Sequence, residues 1–187
     1  MTPAGLAARV PDWANAGGHG SGPERWLRVV EPAGSAASGE REHEAPTAHR
    51  VLVVDDEASM RTLCRINLEL AGFEVSEAED GSTALARVRE QDFRLILLDV
   101  MLPDIGGHEV AQRLAADDRT RDVPVAFLSA RSAREDVRRG YDLGAVDYIT
   151  KPFDPLELPE RVQEIVSRVE RGESERFRAA RLAELED

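Results

Sequence analysis

Short apolar runs recur along the chain from Arg50 onward and predict β-strands. They are RVLVVD, FEVSEA, RLILLDV, VPVAFLSA and VDYIT. RVLVVD and RLILLDV are apolar at successive positions, without the polar alternation of a half-exposed strand, which is typical of strands covered on both faces. The sequence therefore predicts five strands in a buried sheet.

Between and after these runs, apolar residues recur at helical spacing and predict five helices. The first helix, ASMRTLCRINLELAG, places Leu63, Ile66 and Leu70 at that spacing. Gly72 stands where a C-terminal cap belongs. The other four are DGSTALARVREQ, GGHEVAQRLAADD, AREDVRRGYDLGA and DPLELPERVQEIVSRVERG. Alternating strands and helices with short connections favour an α/β fold with a parallel sheet, because each helix then forms a right-handed crossover.

The composition changes near residue 50 and divides the chain. The first 50 residues hold seven of the 14 glycines and five of the 10 prolines. Such a segment cannot bury enough apolar surface to offset the entropy of ordering it, so 1–48 is predicted to be a disordered leader. One apolar island, Pro23–Pro32, is either an unremarkable part of this leader or a short docking motif.

Residues 49–171 are predicted to form the folded domain, and 172–187 an acidic tail compatible with a helix. The tail could extend the fifth helix past Gly172, form a separate helix, or fray. Its apolar periodicity is weak and 154–187 carries 10 acidic and six basic residues, which favours a solvated tail.

Charge and cysteine content limit the classes of function. The formal charge is −12, which argues against unspecific binding to nucleic acid or to an anionic membrane, because both need a positive field. The single Cys64 cannot form an internal disulfide. No apolar run approaches the roughly 20 residues that cross a bilayer, and no signal peptide is recognisable. We therefore predict a cytoplasmic protein.

Polar residues follow the predicted strands where they end. Asp55 and Asp56 follow the first strand, and Asp99 ends the third. Ser129 and Lys151 close the fourth and fifth strands. In open parallel sheets, ligands bind beyond the carboxyl ends of the strands, so we expect these side chains to share one site.

The chemistry of these groups points to phosphoryl transfer. Clustered carboxylates repel one another unless a cation lies between them, and oxygen-only ligands favour a hard cation such as Mg²⁺. Asp99 can attack phosphorus as a nucleophile, and Lys151 with Mg²⁺ can neutralise the phosphoryl charge. Singly, each residue has a simpler explanation as a turn, cap or surface residue.

Lys151 stands out because it is the only lysine among the 24 lysines and arginines. An ammonium is a compact charge on a flexible stem, whereas a guanidinium is a broad planar fork. We therefore expect Lys151 to act where space is scarce and the charge must change partners. Because X-Pro bonds adopt cis at modest cost, we predict a cis Lys151–Pro152 bond that directs the ammonium over the strand ends.

These motifs resemble the receiver domain of two-component response regulators. The resemblance runs from about residue 50 to about residue 171 and rests on VVDDE, LILLDVMLPDIGG, LSA and DYITKPF, in the family's order. Asp99 and Ser129 are 30 residues apart, and Ser129 and Lys151 are 22 apart. The resemblance implies a flavodoxin-like (βα)5 fold, with a five-stranded, doubly wound parallel sheet.

The resemblance also implies a role for each site residue. Asp99 would be the phosphorylation site. Asp56 and Asp99 would bind Mg²⁺ directly together with the Met101 carbonyl oxygen, and Asp55 would bind it through a water. Lys151 would pair with Asp99 and later with a phosphoryl oxygen.

Partners follow from the same resemblance. A sensor histidine kinase or a histidine phosphotransfer protein would supply the phosphoryl group. Ser129 and Tyr148 would then move and change the face formed by the fourth helix, fifth strand and fifth helix, where a downstream protein or a second phosphorylated copy would bind. Tyr148 could instead be an ordinary half-exposed strand residue.

The C-terminal residues suggest which kind of regulator this is. Only 34 residues follow Phe153, and they are acidic and fit no helix-turn-helix. We therefore expect a single-domain regulator without a DNA-binding output, a DNA partner or a membrane partner. It would phosphorylate and dephosphorylate itself without being a turnover enzyme.

Three alternatives remain from the sequence. The chain could be a phosphorelay intermediate. A haloacid dehalogenase-like phosphatase would use Asp55 as nucleophile, although that class separates its two aspartates by one residue. A flavodoxin-like FMN protein would need a phosphate-binding loop where the chain has Asp55-Asp56-Glu57.

Overall fold

The computed structural model describes residues 49–186. The predictions for the leader, 1–48, and for its apolar island, Pro23–Pro32, lie outside the described residues. Within the described part, five strands are present: β1 (Arg50–Val54), β2 (Glu74–Ala78), β3 (Leu95–Leu98), β4 (Val125–Ser129) and β5 (Asp147–Thr150). The helices are α1 (Ala58–Leu70), α2 (Gly81–Glu90), α3 (Gly107–Ala116), α4 (Arg134–Asp142), α5 (Leu158–Glu170) and α6 (Ser174–Glu184).

All strand pairs are parallel, and the strand order in the sheet is β2-β1-β3-β4-β5. The chain passes from β1 to β2 and then returns past β1 to form β3, so the winding direction reverses between β1 and β3. This order confirms the predicted doubly wound, flavodoxin-like sheet. Ligand sites in such sheets lie at the carboxyl ends of the strands next to the reversal.

Two apolar layers cover the sheet. One lies against α2, α3 and α4, and the other against α1 and α5. The residues of β1 and β3 contribute alternately to the two layers, and all of β3 is buried. Burial on both faces is the reason why these strands show apolar residues at successive positions.

Helix α1 buries a different face from the one that the apolar spacing suggests. Leu63, Ile66 and Leu70 are 38%, 46% and 82% exposed. Cys64 and Leu68 are fully buried and face the layer that α1 shares with α5. Because α1 carries apolar residues around more than one side, spacing alone does not identify which side contacts the sheet.

The C-terminal segment forms a helix of its own and packs on the domain. Gly172 has a positive φ of 70° and separates α6 from α5. Phe177, Leu182 and Leu185 are partly buried against the apolar layer of α2, α3 and α4. The interpretation of this segment as a solvated tail is therefore wrong for these three side chains, because their apolar surface is better covered by the core than by water. The predicted boundaries at 48 and 171 stay predictions.

The helices of the described part are short. The longest, α1 and α5, have 13 residues each. Across residues 49–186, no helix combines the length and apolar character that a membrane span requires.

Candidate metal and phosphoryl site

Three carboxylates meet at the carboxyl ends of β1 and β3. Val54 of β1 pairs with Leu98 of β3, so Asp55 and Asp99 each follow by one residue and lie side by side. Carboxylate oxygens of Asp55, Asp56 and Asp99 lie within 4.8 Å of one another. Asp55 and Asp99 are buried, whereas Asp56 is exposed. An all-oxygen set that is open to solvent on one side suits a hard, partly hydrated cation such as Mg²⁺.

Lys151 joins the two buried carboxylates. Its Nζ donates to Oδ2 of Asp55 and to Oδ2 of Asp99, both at 2.5 Å. Burial disfavours the ammonium, but the hydrogen bonds and charges of the two aspartates outweigh it, so the pKa of Lys151 is raised. The lysine predicted from the sequence as the cation of the site thus lies between the predicted carboxylates.

The electrostatic balance of the cluster favours an additional cation. Burial raises the pKa of Asp55 by more than the hydrogen bonds from Lys151 and from the Glu57 amide lower it. Burial therefore makes the ionised form of Asp55 costly. A divalent ion at this position would offset that cost.

Backbone groups fix the direction of each buried carboxylate. Oδ1 of Asp99 accepts from the Met101 N–H at 2.8 Å, and Oδ1 of Asp55 accepts from the Glu57 N–H at 3.0 Å. Gly107, at the start of α3, packs directly on the backbone of Asp99: a Cβ there would lie 2.0 Å from the Asp99 carbonyl oxygen. Only glycine allows this approach.

Arg61 is a site residue that the sequence did not reveal. Its Nη1 donates to the carbonyl oxygen of Asp55 at 2.7 Å and to that of Asp56 at 3.1 Å. These bonds tie the acidic loop to the first turn of α1. Nothing in the sequence distinguishes Arg61 from the other arginines, because its role depends on two backbone carbonyls.

We expect Arg61→Gln to weaken Mg²⁺ binding on the order of 10-fold, as the loss of groups that orient metal ligands does. The direction of the change in Mg²⁺ affinity is informative, because removing a positive charge near three carboxylates would by itself strengthen cation binding. Arg65→Gln is the matched control: Arg65 is on the same helix but its guanidinium pairs with Glu69 at 3.1 Å. Isothermal titration with Mg²⁺ measures both. An affinity that stays unchanged or rises in Arg61→Gln would contradict a positioning role.

Ser129 and Tyr148 hold the segment that follows β4. Ser129 is fully buried, and its Oγ accepts from the Arg131 N–H at 3.1 Å. The Tyr148 Oη donates to the Arg131 carbonyl oxygen at 2.7 Å. Tyr148 is 7% exposed, and burial raises its pKa. It is therefore not the half-exposed strand residue considered as an alternative.

The ring of Tyr148 also reaches α4. It lies 5.9 Å from the Phe127 ring centroid, and a Cβ at Gly140 would come within 2.9 Å of it. At the end of β5, the Lys151–Pro152 bond is cis, the geometry predicted from the sequence. The Lys151 N–H donates to the Ser129 carbonyl oxygen at 2.8 Å, so the ends of β4 and β5 are directly linked.

Known proteins are similar to this chain in sequence and fold. The family model of the response regulator receiver domain matches residues 51–163. The chain is 43% identical over 122 residues to the DNA-binding dual master transcriptional regulator RpaA of Synechocystis, a match to 65% of this chain and 51% of that protein. It is 45% identical over 122 residues to the phosphate regulon transcriptional regulatory protein PhoB of Escherichia coli, covering 65% and 53%.

A solved structure supports the same relationship. The chemotaxis response regulator CheY4 of Vibrio cholerae is 32% identical, with a TM-score of 0.60, and the match covers 64% of this chain and 99% of that one. CheY4 is therefore matched almost completely, whereas the chain spans about half the length of the curated relatives RpaA and PhoB.

These relatives correct the functional prediction from the sequence. We expected a regulator without a DNA-binding output or a DNA partner. RpaA and PhoB are transcriptional regulators, and the chain matches only the receiver part of them. The prediction is therefore wrong, because the acidic residues after Phe153 carry no information about an output domain. Through the match over residues 51–163, the chain belongs to the response regulator receiver domain family.

Proposed function

We propose that this receiver accepts a phosphoryl group on Asp99 in a Mg²⁺-dependent reaction. One observation carries the proposal: Asp99 shares Lys151 with Asp55 and lies within 4.8 Å of the carboxylates of Asp55 and Asp56. Membership of the family implies a histidine kinase as partner. A histidine phosphotransfer protein as donor and a cytoplasmic location stay predictions.

The chemistry assigns a task to each residue. A carboxylate oxygen of Asp99 attacks the phosphorus of a phosphohistidine, the P–N bond breaks, and the imidazole leaves and takes up a proton. Asp56, Asp99 and the Met101 carbonyl oxygen would hold Mg²⁺, with Asp55 acting through a water, and the ion would neutralise phosphoryl charge. Lys151 contributes a second positive charge at Oδ2 of Asp99.

Phosphorylation then biases a two-state equilibrium. The phosphoryl group competes for Ser129, whose Oγ accepts from the Arg131 N–H in the present structure. The Tyr148 hydroxyl donates to the carbonyl oxygen of the same Arg131, so Tyr148 moves with this segment. We propose the face of α4, β5 and α5 as the surface that transmits the change to an output or to a second copy. The transcriptional relatives favour an output that controls transcription.

Acetyl phosphate and Mg²⁺ test the proposal on the full chain. We expect a mass increase of one phosphoryl group that peptide mapping assigns to Asp99, and no increase in Asp99→Asn or with excess EDTA. Asp118→Asn is the matched control, because Asp118 is an exposed aspartate outside the cluster. Label on Asp55, or incorporation that Asp99→Asn does not abolish, would overturn the assignment.

A further inference from the structure

Helix α6 contacts the two helices that flank β5, the strand at the edge of the sheet. β5 is the last strand in the sheet, with α5 on one face and α4 on the other. α6 contacts both helices: its Phe177 ring lies against Arg168 of α5, and Glu186 just beyond it pairs with Arg138 of α4 at 3.5 Å. The family match ends at residue 163, within α5, so α6 lies outside the matched residues.

Arg168 connects α6 to β5, because it contacts Phe177 of α6 and pairs with Asp147, the first residue of β5. Arg168 is buried, and its Nη2 donates to the Asp147 carboxylate at 2.7 Å and to the Val146 carbonyl oxygen at 3.2 Å. Its guanidinium carbon lies 3.6 Å from the centroid of the Phe177 ring. A cation over an aromatic face is attractive, more so where water is excluded. Phe177 therefore anchors α6 on the cation that pairs with β5.

The rest of the β5 edge is open. A groove of about 420 Å³ lies beside its carboxyl half and is lined by Tyr148, Ile149, Thr150 and the start of α5. The contacts of α6 lie at the other end, near Asp147 and Gly144: a Cβ at Gly144 would be 3.7 Å from a nitrogen of Arg178. Thus α6 covers one half of the α4, β5 and α5 face and leaves the other half accessible.

α6 is held weakly enough to be released. It has 11 residues, none of them fully buried, and the Glu173 side chain makes no capping hydrogen bond. Isolated helices of this length are marginal in water, so α6 depends on the packing of Phe177, Leu182 and Leu185. Elements with few buried contacts open at a small fraction of the global free energy of unfolding.

We propose that α6 is a latch that closes the amino-terminal half of the β5 edge and is released when Asp99 is phosphorylated. Tyr148 provides the coupling: it belongs to the apolar layer that α6 packs against, and its N–H donates to Asp147 at 2.7 Å. Release extends the open groove along the whole edge. The inference rests on the proposed function, because the signal is phosphorylation of Asp99.

Hydrogen exchange of the full chain, followed by mass spectrometry, tests the latch. We expect the amides of 174–184 to exchange at least about fivefold faster after acetyl phosphate and Mg²⁺ are added, in proportion to the phosphorylated fraction, because local opening sets their rate. Asp99→Asn should show no change. Full phosphorylation of Asp99 with unchanged exchange in α6 would overturn the latch and leave the proposed function intact. Absence of any phosphorylation would instead overturn both the proposed function and the release step.

A pair of variants tests the closed position independently of phosphorylation. Phe177→Ala removes the anchor on Arg168, so α6 should exchange rapidly in both states. Arg176→Ala is the matched control, because Arg176 is exposed on the same helix, and it should keep the wild-type rate. Equal exchange in the two variants would contradict the closed latch, whereas unchanged exchange elsewhere in both would show that the domain remains folded.

Discussion

Asp147→Asn is expected to lower the free energy of unfolding by about 3–5 kcal/mol, the range for breaking a buried ion pair from one side. Asp147 is fully buried and accepts from Arg168 at 2.7 Å, from Arg161 at 2.9 Å and from the Tyr148 N–H at 2.7 Å. Asparagine keeps the shape but not the charge. Arg168, which is 5% exposed, is then left as a buried cation without its main partner.

Two further variants separate the buried charge from ordinary hydrogen bonding. Arg168 also pairs with Glu164 at 3.5 Å, but the Glu164 side chain is 58% exposed, so Glu164→Gln should cost no more than about 0.5 kcal/mol. Asp147→Asn combined with Arg168→Met removes both charges and should recover part of the loss. Urea unfolding followed by circular dichroism measures all three. A cost below about 1 kcal/mol for Asp147→Asn would mean that water reaches Arg168.

The fold was predictable because its signal is local. Each buried strand is an apolar run, and each run is followed by a helical pattern, so the strands and the class of sheet follow from short windows of sequence. The strand ends Asp55, Asp99 and Lys151 were predictable for the same reason: once the strands are parallel, their carboxyl ends meet at one edge.

Features that depend on distant neighbours were not predictable. Arg61 acts through backbone carbonyls, and Arg168 pairs with Asp147 from another element. Neither arginine differs from the others in sequence. The exposed apolar residues of α1 and the packing of α6 show the same limit: periodicity indicates that a helix has an apolar side, but the neighbouring elements decide which side is buried.

Lys151→Met is expected to lower the free energy of unfolding by about 3–4 kcal/mol at neutral pH without Mg²⁺. The methionine keeps an unbranched stem but leaves Asp55 and Asp99, which are 0% and 5% exposed, without a cation. The loss of stability cannot exceed the free energy of protonating one carboxyl, because protonation removes the uncompensated buried charge. At neutral pH, protonating a carboxyl with the ordinary reference pKa of an aspartate costs about 4 kcal/mol, since each pH unit above that reference is about 1.4 kcal/mol.

The pH dependence identifies the cause of that loss. Because the variant's carboxylates can be neutralised by protons, the difference between wild type and Lys151→Met should shrink as the pH falls from 7 toward 4. In the wild type, the raised pKa of Lys151 means that its contribution is fully present below the ordinary lysine pKa and is lost only as the pH rises through the higher folded value. Mg²⁺ should recover part of the loss in the variant, because it supplies positive charge to the same carboxylates.

Lys151→Arg distinguishes charge from movement. The guanidinium keeps the positive charge, so this variant should retain most of the stability and still accept a phosphoryl group on Asp99. Its planar fork has fixed donor directions, however, and cannot change partners as readily as the Nζ that Asp55 and Asp99 now share at 2.5 Å. We therefore expect the amides of α6 in Lys151→Arg to exchange at nearly the same rate before and after phosphorylation of Asp99. Wild-type release of α6 in that variant would show that Lys151 acts only as a fixed charge.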